Sequence, residues 1–280
     1  MDASCSAKHY PRQSEPRTDA SRLSIVLFLI LVLLTLSSSE GFAADGYSVG
    51  FRTLGYWIPA RQVRLDINVW YPCLGKPRSL QYPPWTIIAA RNSKTRPGRY
   101  PLLLLSHPSP ATRFSFNDTG AWLASQGFIV AAPTHSTDCM DNMHDLFTFS
   151  QLTNRVLELR TALDLLLGEK NLGEFIAEDA IGLLGFGAGA ATALLMGGAM
   201  PNCISWSDYC EKAGKTDVYC NPWAREKINS ICTHLPIRRS LADPRIRALA
   251  AVCPGFGMLF GTQSFENFAT PLLLVACEND

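Results

Sequence analysis

The chain has 280 residues, of which 47% are hydrophobic and 18% are charged, and its formal net charge is +1. This composition excludes an intrinsically disordered protein, which needs low hydrophobicity and high net charge. The balanced charge also argues against a nucleic-acid-binding protein, which normally carries a basic excess. We therefore expect a globular protein with no nucleic-acid partner.

The N-terminal segment has the pattern of a secretory signal. Residues 23–36 form an almost continuous apolar run, which is shorter than the roughly 20 residues that a membrane-spanning helix needs. Basic residues precede this run, and small residues follow it as far as Ala43 and Ala44. We interpret residues 1–44 as a cleaved signal peptide or, alternatively, as an uncleaved signal anchor that would be the protein's contact with a membrane. The rest of the chain is expected to be exported, either to the periplasm or out of the cell.

The pattern of the following residues predicts alternating strands and helices. The alternation of apolar and polar residues over 63–71 is typical of a half-buried antiparallel strand, whereas residues 73–99, with four prolines, are predicted to be a loop. Continuous apolar runs predict strands that are buried on both faces. These runs lie at residues 101–106, 128–132, 181–184, 246–252 and 272–275. Helices are predicted at residues 118–126, 152–168, 188–199 and 264–269.

The order of these elements predicts an α/β fold. Within the helix at 152–168 the apolar residues form one stripe, and the charged residues Arg155 and Glu158 fall outside it. Strands that alternate with helices indicate a mostly parallel central sheet flanked by helices. We expect a single domain over residues 45–280, in which the polar, cysteine-rich residues 200–243 form an inserted cap.

Eight of the nine cysteines follow the N-terminal segment, and four of them lie close together in the predicted cap. Their spacing lacks the C-x-x-C pairs of common zinc sites, so disulfides are the better interpretation in an exported chain. Four cysteines allow three pairings, and the sequence does not choose among them. The disulfide candidates are Cys203, Cys210, Cys220 and Cys232. The cysteines near apolar strands are expected to be free and buried; they are Cys73, Cys139, Cys253 and Cys277.

The sharpest motif is the sequence GFGAG at residues 185–189, which follows a predicted strand and opens a predicted helix. This is the context of the nucleophile elbow, G-x-S-x-G, whose strained turn lifts a nucleophile above the sheet. Here Gly187 occupies the nucleophile position. Two other interpretations are a phosphate-binding glycine loop and a plain strand–turn–helix. A dinucleotide fingerprint would need glycine where this chain has Ala190.

Several separate segments resemble the predicted dienelactone hydrolase family, exported α/β-hydrolases related to the platelet-activating factor acetylhydrolases. The resemblance covers most of residues 47–280 in the family's order. The matching segments are Val49-Gly50-Phe51-Arg52, Val69-Trp70-Tyr71-Pro72, Leu105-Ser106-His107, residues 123–132, Thr134-His135, Ile181-Gly182 before the elbow, Arg247-Ala248 near Pro254, and residues 271–275 ending at Glu278-Asn279-Asp280.

The resemblance implies the α/β-hydrolase fold and a serine-hydrolase mechanism. In that mechanism an elbow serine attacks an acyl carbonyl, a histidine takes its proton, and an acid orients the histidine. The positions that match are Gly187 for the nucleophile, which lacks the serine, and Asp280 for the acid. The family's C-terminal helix, last strand and histidine would follow Asp280, and we expect them to be missing.

The resemblance also implies an oxyanion hole made from two backbone N–H groups. One is that of Ala188, directly after the nucleophile position. The other lies in the loop after His107 and is assigned to Ser109. The family has glycine where this chain has Pro108, and proline fixes φ and removes an N–H group.

These assignments predict an acyl-ester hydrolase type of protein that is inactive in hydrolysis. One alternative is a non-catalytic protein that binds a small acyl-ester or lipid-like ligand in the former acyl pocket. Another is an active hydrolase with a displaced nucleophile, for which Cys277 with His107 or His135 is the candidate. We expect no cofactor and no metal; a metal site formed by His107, His135 and Asp280 is the weaker alternative.

Signal cleavage makes a direct prediction about the mature chain. We expect the exported protein to begin near Ala44 or Asp45, because the small residues that signal peptidases select end there. Intact mass spectrometry of the exported protein measures this N-terminus. A mature species that retains Met1 in the membrane fraction would instead establish the uncleaved anchor.

Overall fold

The computed structural model describes residues 46–235 and 240–276. The predicted signal at residues 1–44 and the C-terminal residues Cys277 and Asp280 lie outside the described residues. Within the described ranges, no helix combines the length and hydrophobicity that crossing a membrane would take.

The described chain builds a nine-stranded sheet. Its strands are β1 (Val49–Ile58), β2 (Val63–Pro72), β3 (Arg78–Tyr82), β4 (Trp85–Arg91), β5 (Tyr100–Ser106), β6 (Ile129–Pro133), β7 (Ile176–Phe186), β8 (Ile246–Val252) and β9 (Leu272–Val275). They lie in the order β3-β4-β1-β2-β6-β5-β7-β8-β9. The run from β6 to β9 is parallel, while β2 pairs antiparallel with both β1 and β6, and β3 pairs antiparallel with β4.

Five described helices flank or cap this sheet. They are α1 (Asn117–Ser125), α2 (Phe149–Gly168), α3 (Ala188–Gly197), α4 (Ile204–Ala213) and α5 (Pro222–Cys232). Short 3₁₀ turns lie at Gly173–Phe175, Gly257–Leu259 and Thr262–Phe265. The side chain of Thr148 accepts a hydrogen bond from the N–H of Gln151 and so begins α2, and the side chain of Asn221 does the same for Ala224 at the start of α5.

The apolar core occupies both faces of the central strands. In β5, Leu104 packs on one face with Leu159 of α2, and its neighbour Leu105 packs on the other face with Trp70 and with Ala124 of α1. Successive strand residues point to opposite faces, so an uninterrupted apolar run is what a sheet covered on both sides requires. The fold is the α/β-hydrolase arrangement that the sequence resemblance implied.

The predicted strands and helices are confirmed in their order, with four differences. The segment 73–99 is not a loop, because it contains the hairpin of β3 and β4. Strand β2 is buried on both faces from Ile67 onward rather than half-buried, because one face packs in the core with α2 and the other packs in the core with α1. Strand β1 was not predicted, and the helix expected at 264–269 is a 3₁₀ turn.

The cysteine-rich segment contains α4 and α5, and its four predicted cysteines form two disulfides. Cys203 pairs with Cys232, and Cys210 pairs with Cys220. The expectation of free, buried thiols holds for Cys73 and Cys139. It is wrong for Cys253, which is disulfide-bonded.

The two cap disulfides should differ in their contribution to stability. Cys203 and Cys232 are 29 positions apart and Cys210 and Cys220 are 10 apart, so the first bond closes the longer loop in the unfolded chain. Loop-closure entropy then gives about 3.6 kcal/mol for the first bond and about 2.8 kcal/mol for the second. Urea unfolding of the two paired Cys→Ala variants measures the difference. The reverse order of stability would contradict it.

Candidate functional site

The turn between β7 and α3 has the geometry of a nucleophile elbow. Gly187 has φ 57° and ψ −122°, a conformation that residues with a side chain rarely adopt. Its N–H donates to the carbonyl of Val252, and its carbonyl accepts from the N–H of Gly255. The elbow is therefore tied to the segment that follows β8.

The two flanking glycines are required by close packing. A Cβ atom on Gly185 would lie 2.0 Å from the carbonyl oxygen of Gly189, and a Cβ on Gly189 would lie 2.0 Å from that of Ser106. No side chain fits at these distances, so α3 can begin directly against the ends of β5 and β7 only with glycine at both positions. This close backbone packing is the structural reason for the glycines on both sides of the elbow.

A cavity of about 480 Å³ opens in front of the elbow. Its walls come from the elbow, from the segment after β8 and from the cap, and its main lining residues are Phe186, Gly187, Tyr209, Tyr219, Pro254 and Met258. The lining is mostly aromatic and apolar. Among its described lining residues there is no serine, histidine, lysine or carboxylate, and its one cysteine, Cys253, is held in a disulfide.

The predicted site residues fall at different places in this arrangement. Gly187 lies on the cavity wall, and Ala188 is the first residue of α3. Ser109 lies in the loop after β5, and its hydroxyl donates to the carboxylate of Asp138 rather than lining the cavity. Asp280 lies outside the described residues, so the triad acid stays a prediction.

Beneath the elbow lies a chain of hydrogen bonds that links Ser106, His135 and Glu158. The Ser106 hydroxyl is 2.9 Å from His135 Nε2, and His135 Nδ1 is 2.9 Å from Glu158 Oε2. An ionised carboxylate can only accept, so Nδ1 of a neutral imidazole donates to Glu158 and Nε2 accepts from the serine. Serine, histidine and acid follow one another here in the order of a serine-hydrolase triad.

This chain of residues is closed off from solvent and from the described cavity wall. The relative exposure of Ser106 is 0%, and that of His135 and Glu158 is 1% each. The second carboxylate oxygen of Glu158 accepts from Arg61 Nη1 at 2.7 Å, which balances the buried charge. A buried carboxylate needs such a partner because an unpaired one is strongly destabilising.

A second buried network holds the loop that follows β5. Arg155 Nη1 donates to the carbonyl of His107 at 2.6 Å, and Arg155 Nε donates to Asp138 at 2.7 Å. His107 Nδ1 donates to the carbonyl of Pro108, and His107 Nε2 accepts from the backbone N–H of His135. These contacts fix Pro108, whose Cβ would lie 3.1 Å from a Cβ on the elbow glycine.

The environment shifts the pKa of both buried histidines and of Asp138. Burial, with the neighbouring Arg155, holds the pKa of His135 well below its usual range. Burial, with the neighbouring His135 and Arg155, holds the pKa of His107 well below its usual range. Burial alone would raise the pKa of Asp138, but Arg155 and the hydroxyl of Ser109 outweigh it and lower that pKa. His107 is therefore neutral and Asp138 is charged near neutral pH.

Sequence reasoning missed the two charged members of α2. The sequence pattern places Arg155 and Glu158 outside the apolar stripe of the helix and so predicts that they are exposed. In the structure each is only 1% exposed. They lie three positions apart, which places both on one helix face, and that face turns toward the ends of β5 and β6. The sequence did contain a signal for these two residues. Ser106 ends β5 and His135 closely follows β6, and buried polar side chains of this kind need hydrogen-bond partners.

The comparisons with known proteins agree with this architecture. Residues 56–140 match the family described as platelet-activating factor acetylhydrolase, isoform II. A solved ferulic acid esterase from Streptomyces cinnamoneus is similar in structure, with TM-score 0.54 and 18% sequence identity, over 86% of this chain and 67% of the esterase. No curated protein sequence matches the chain significantly.

A second solved structure, a hypothetical protein from Pseudomonas aeruginosa (PA2218), has a TM-score of 0.41 and 12% sequence identity to this chain. The match covers 78% of this chain and 46% of that protein. The sheet order, the elbow and the structural similarity to the esterase together define the class: this is a protein of the α/β-hydrolase fold. Within residues 56–140, the chain is also similar to the platelet-activating factor acetylhydrolase family.

The neutral state of His107 predicts a loss of stability in mild acid. The unfolded chain takes up a proton near the ordinary histidine pKa of about 6.5, whereas folded His107 resists protonation, so falling pH favours unfolding. His135 contributes in the same way, because burial lowers its pKa too. We expect the free energy of unfolding to be level above about pH 7 and to fall by up to about 2.7 kcal/mol per pH unit below about pH 6.5.

Urea unfolding at several pH values between about 7.5 and 5.5 measures this slope. His107→Asn should reduce the slope by about half, because His135 remains. His234→Gln should leave it unchanged, because His234 is exposed and forms no ion pair among the described residues. Equal stability of the parent at both ends of this pH range would show that His107 is readily protonated in the folded protein.

Proposed function

We propose that this protein is an exported, non-catalytic member of the hydrolase fold that binds a small acyl-ester or lipid-like ligand at the former nucleophile elbow. The observation that carries the proposal is Gly187 itself. The strained elbow and its cavity are both present, while the position that should bear the attacking group has no side chain. A serine hydrolase that loses its nucleophile loses about 10⁶ in kcat.

The character of the cavity supports a neutral, largely apolar ligand. Its volume of about 480 Å³ lies in the range of small-molecule sites. Tyr209 and Tyr219 from the cap and Met258 from the segment after β8 offer aromatic and flexible apolar surface. Among the first N–H groups of α3, those of Ala190 and Ala191 donate to the carbonyl of Gly187, which leaves the N–H of Ala188 as the candidate donor to a ligand carbonyl oxygen.

Export is supported by the disulfides. The bonds Cys203–Cys232 and Cys210–Cys220 need an oxidising compartment to form and persist. The apolar run at residues 23–36 supplies a means of export.

A second candidate function is hydrolysis by a displaced nucleophile, and one observation favours it. Ser106, His135 and Glu158 already have the hydrogen bonds that activate a serine. Their complete burial opposes this candidate, because a substrate would reach the Ser106 hydroxyl only if the loop after β5 moved away. We therefore assign this chain of residues to holding that loop.

The proposed function predicts binding without turnover. The full-length protein should bind a short-chain aryl ester, measured by calorimetry, and should not hydrolyse it above the uncatalysed rate, measured by release of the phenol. Gly187→Ser should not restore hydrolysis, because no histidine lies among the described residues of the cavity wall to activate the new hydroxyl. The new side chain would also adopt a strained φ of 57°.

Matched variants separate the two candidate functions. Met258→Glu should weaken ester binding at least about tenfold by placing a charge in the cavity, whereas Leu157→Glu, on the exposed face of α2, should not. Hydrolysis by the parent that disappears in Ser106→Ala, together with labelling of Ser106 by a fluorophosphonate, would overturn the non-catalytic proposal and establish the displaced nucleophile.

A further inference from the structure

The charges of this chain are strongly segregated along the sequence. Residues 67–117 contain no aspartate or glutamate and seven lysine or arginine residues. Subtracting these seven from the 25 basic residues of the chain leaves 18 basic against 24 acidic residues in the remainder. A net charge close to zero therefore conceals a strongly basic segment, which contains the β3–β4 hairpin.

Part of this positive charge converges on a cavity of about 470 Å³ beside the hairpin. Its lining includes the side chains of Lys76, Arg78 and Arg91 and the hydroxyl-bearing Ser93. The spacing explains the convergence. Arg78 lies opposite Ala89 in the antiparallel pair, so residues two positions beyond each of them, Lys76 and Arg91, extend the same face of the hairpin.

The three cations have no protein counter-charge in the described structure. No ion pair among the described residues includes Lys76, Arg78 or Arg91. The buried arginine behind the cavity, Arg52, is already balanced by Glu169 at 3.3 Å. Because these three cations line one cavity without a partner carboxylate among the described residues, an anion bound there would be attracted by all three.

The cavity is built on a fixed frame with an apolar floor. Arg52 and the hydroxyl of Tyr71 both donate to the carbonyl of Ser93 and hold the loop after β4 in place. The apolar residues that line the cavity are Leu80, Ala89 and Ala90, and we refer to them as its floor. A charged rim over an apolar floor suits a ligand that has an anionic group and an organic body.

We propose that this cavity is a binding site for a phosphomonoester, with the phosphate between Lys76, Arg78 and Arg91 and the organic part against Leu80. A phosphomonoester carries between one and two negative charges near neutral pH and three acceptor oxygens, which matches three cations better than a single carboxylate does. The guanidinium forks of the two arginines bind phosphate oxygens in pairs. The site is separate from the elbow cavity and is independent of the function proposed there.

Calorimetric titration of the full-length protein with phenyl phosphate and with inorganic phosphate tests the site. We expect saturable binding of phenyl phosphate that is tighter than that of inorganic phosphate, because the floor contacts the ring. Arg78→Gln with Arg91→Gln should weaken it at least about tenfold, and Lys76→Gln should weaken it less. Arg99→Gln is the matched control, since Arg99 is exposed in the same basic segment but does not line the cavity.

The natural phosphate could belong to a soluble molecule or to a lipid, and vesicles distinguish these sources. Vesicles of phosphatidylcholine with phosphatidic acid should capture the parent more than the double variant if the ligand is a lipid headgroup, and both equally if it is soluble. The proposal fails if neither phenyl phosphate nor these vesicles bind through Arg78 and Arg91, or if Arg99→Gln weakens binding as much as the double variant. Thermal unfolding of each variant verifies that it is folded.

Discussion

The contact on which the site depends is the approach of helix α3 to the ends of β5 and β7. Gly185 and Gly189 leave room for backbone to meet backbone at distances where no Cβ would fit. This contact places the first turn of α3 against the sheet edge and forces the intervening Gly187 into a positive-φ turn. The elbow geometry is therefore a consequence of packing, and it persists although the side chain that it serves in active hydrolases is absent.

The buried polar residues below the elbow have a structural role that explains their position. Ser106 is the last residue of β5, and His107 and His135 follow the ends of β5 and β6, where neighbouring strands no longer supply hydrogen-bond partners. Arg155 and Glu158 of α2 supply the missing partners and are paired in turn. Breaking such a buried network by removing one member would leave an uncompensated charge, which typically costs 3–5 kcal/mol. The loop that faces the elbow is thus held by electrostatics rather than by apolar packing.

The two cavities present opposite chemistry on one domain. The elbow cavity is aromatic and carries no formal charge on its described wall, whereas the hairpin cavity gathers three unpaired cations around an apolar floor. A neutral ester and an anionic group would therefore not compete for the same surface. This division follows the charge segregation of the sequence, because the acid-free residues 67–117 contain the edge hairpin of β3 and β4.

The sequence alone determined the fold class, the elbow and the disulfide-forming cysteines of the cap. The apolar run 101–106 reflects burial of a strand on both faces, and the glycine pattern at 185–189 reflects close backbone approach. Both causes act on consecutive residues, so both patterns can be recognised in the sequence. The tertiary structure decided what depends on distant partners. Only it paired Cys203 with Cys232, formed a hairpin within 73–99, buried Arg155 and Glu158, and brought Lys76 beside Arg91. Each of these joins residues that are far apart in the chain or turns a polar group inward, and a sequence pattern records neither the partner nor its distance.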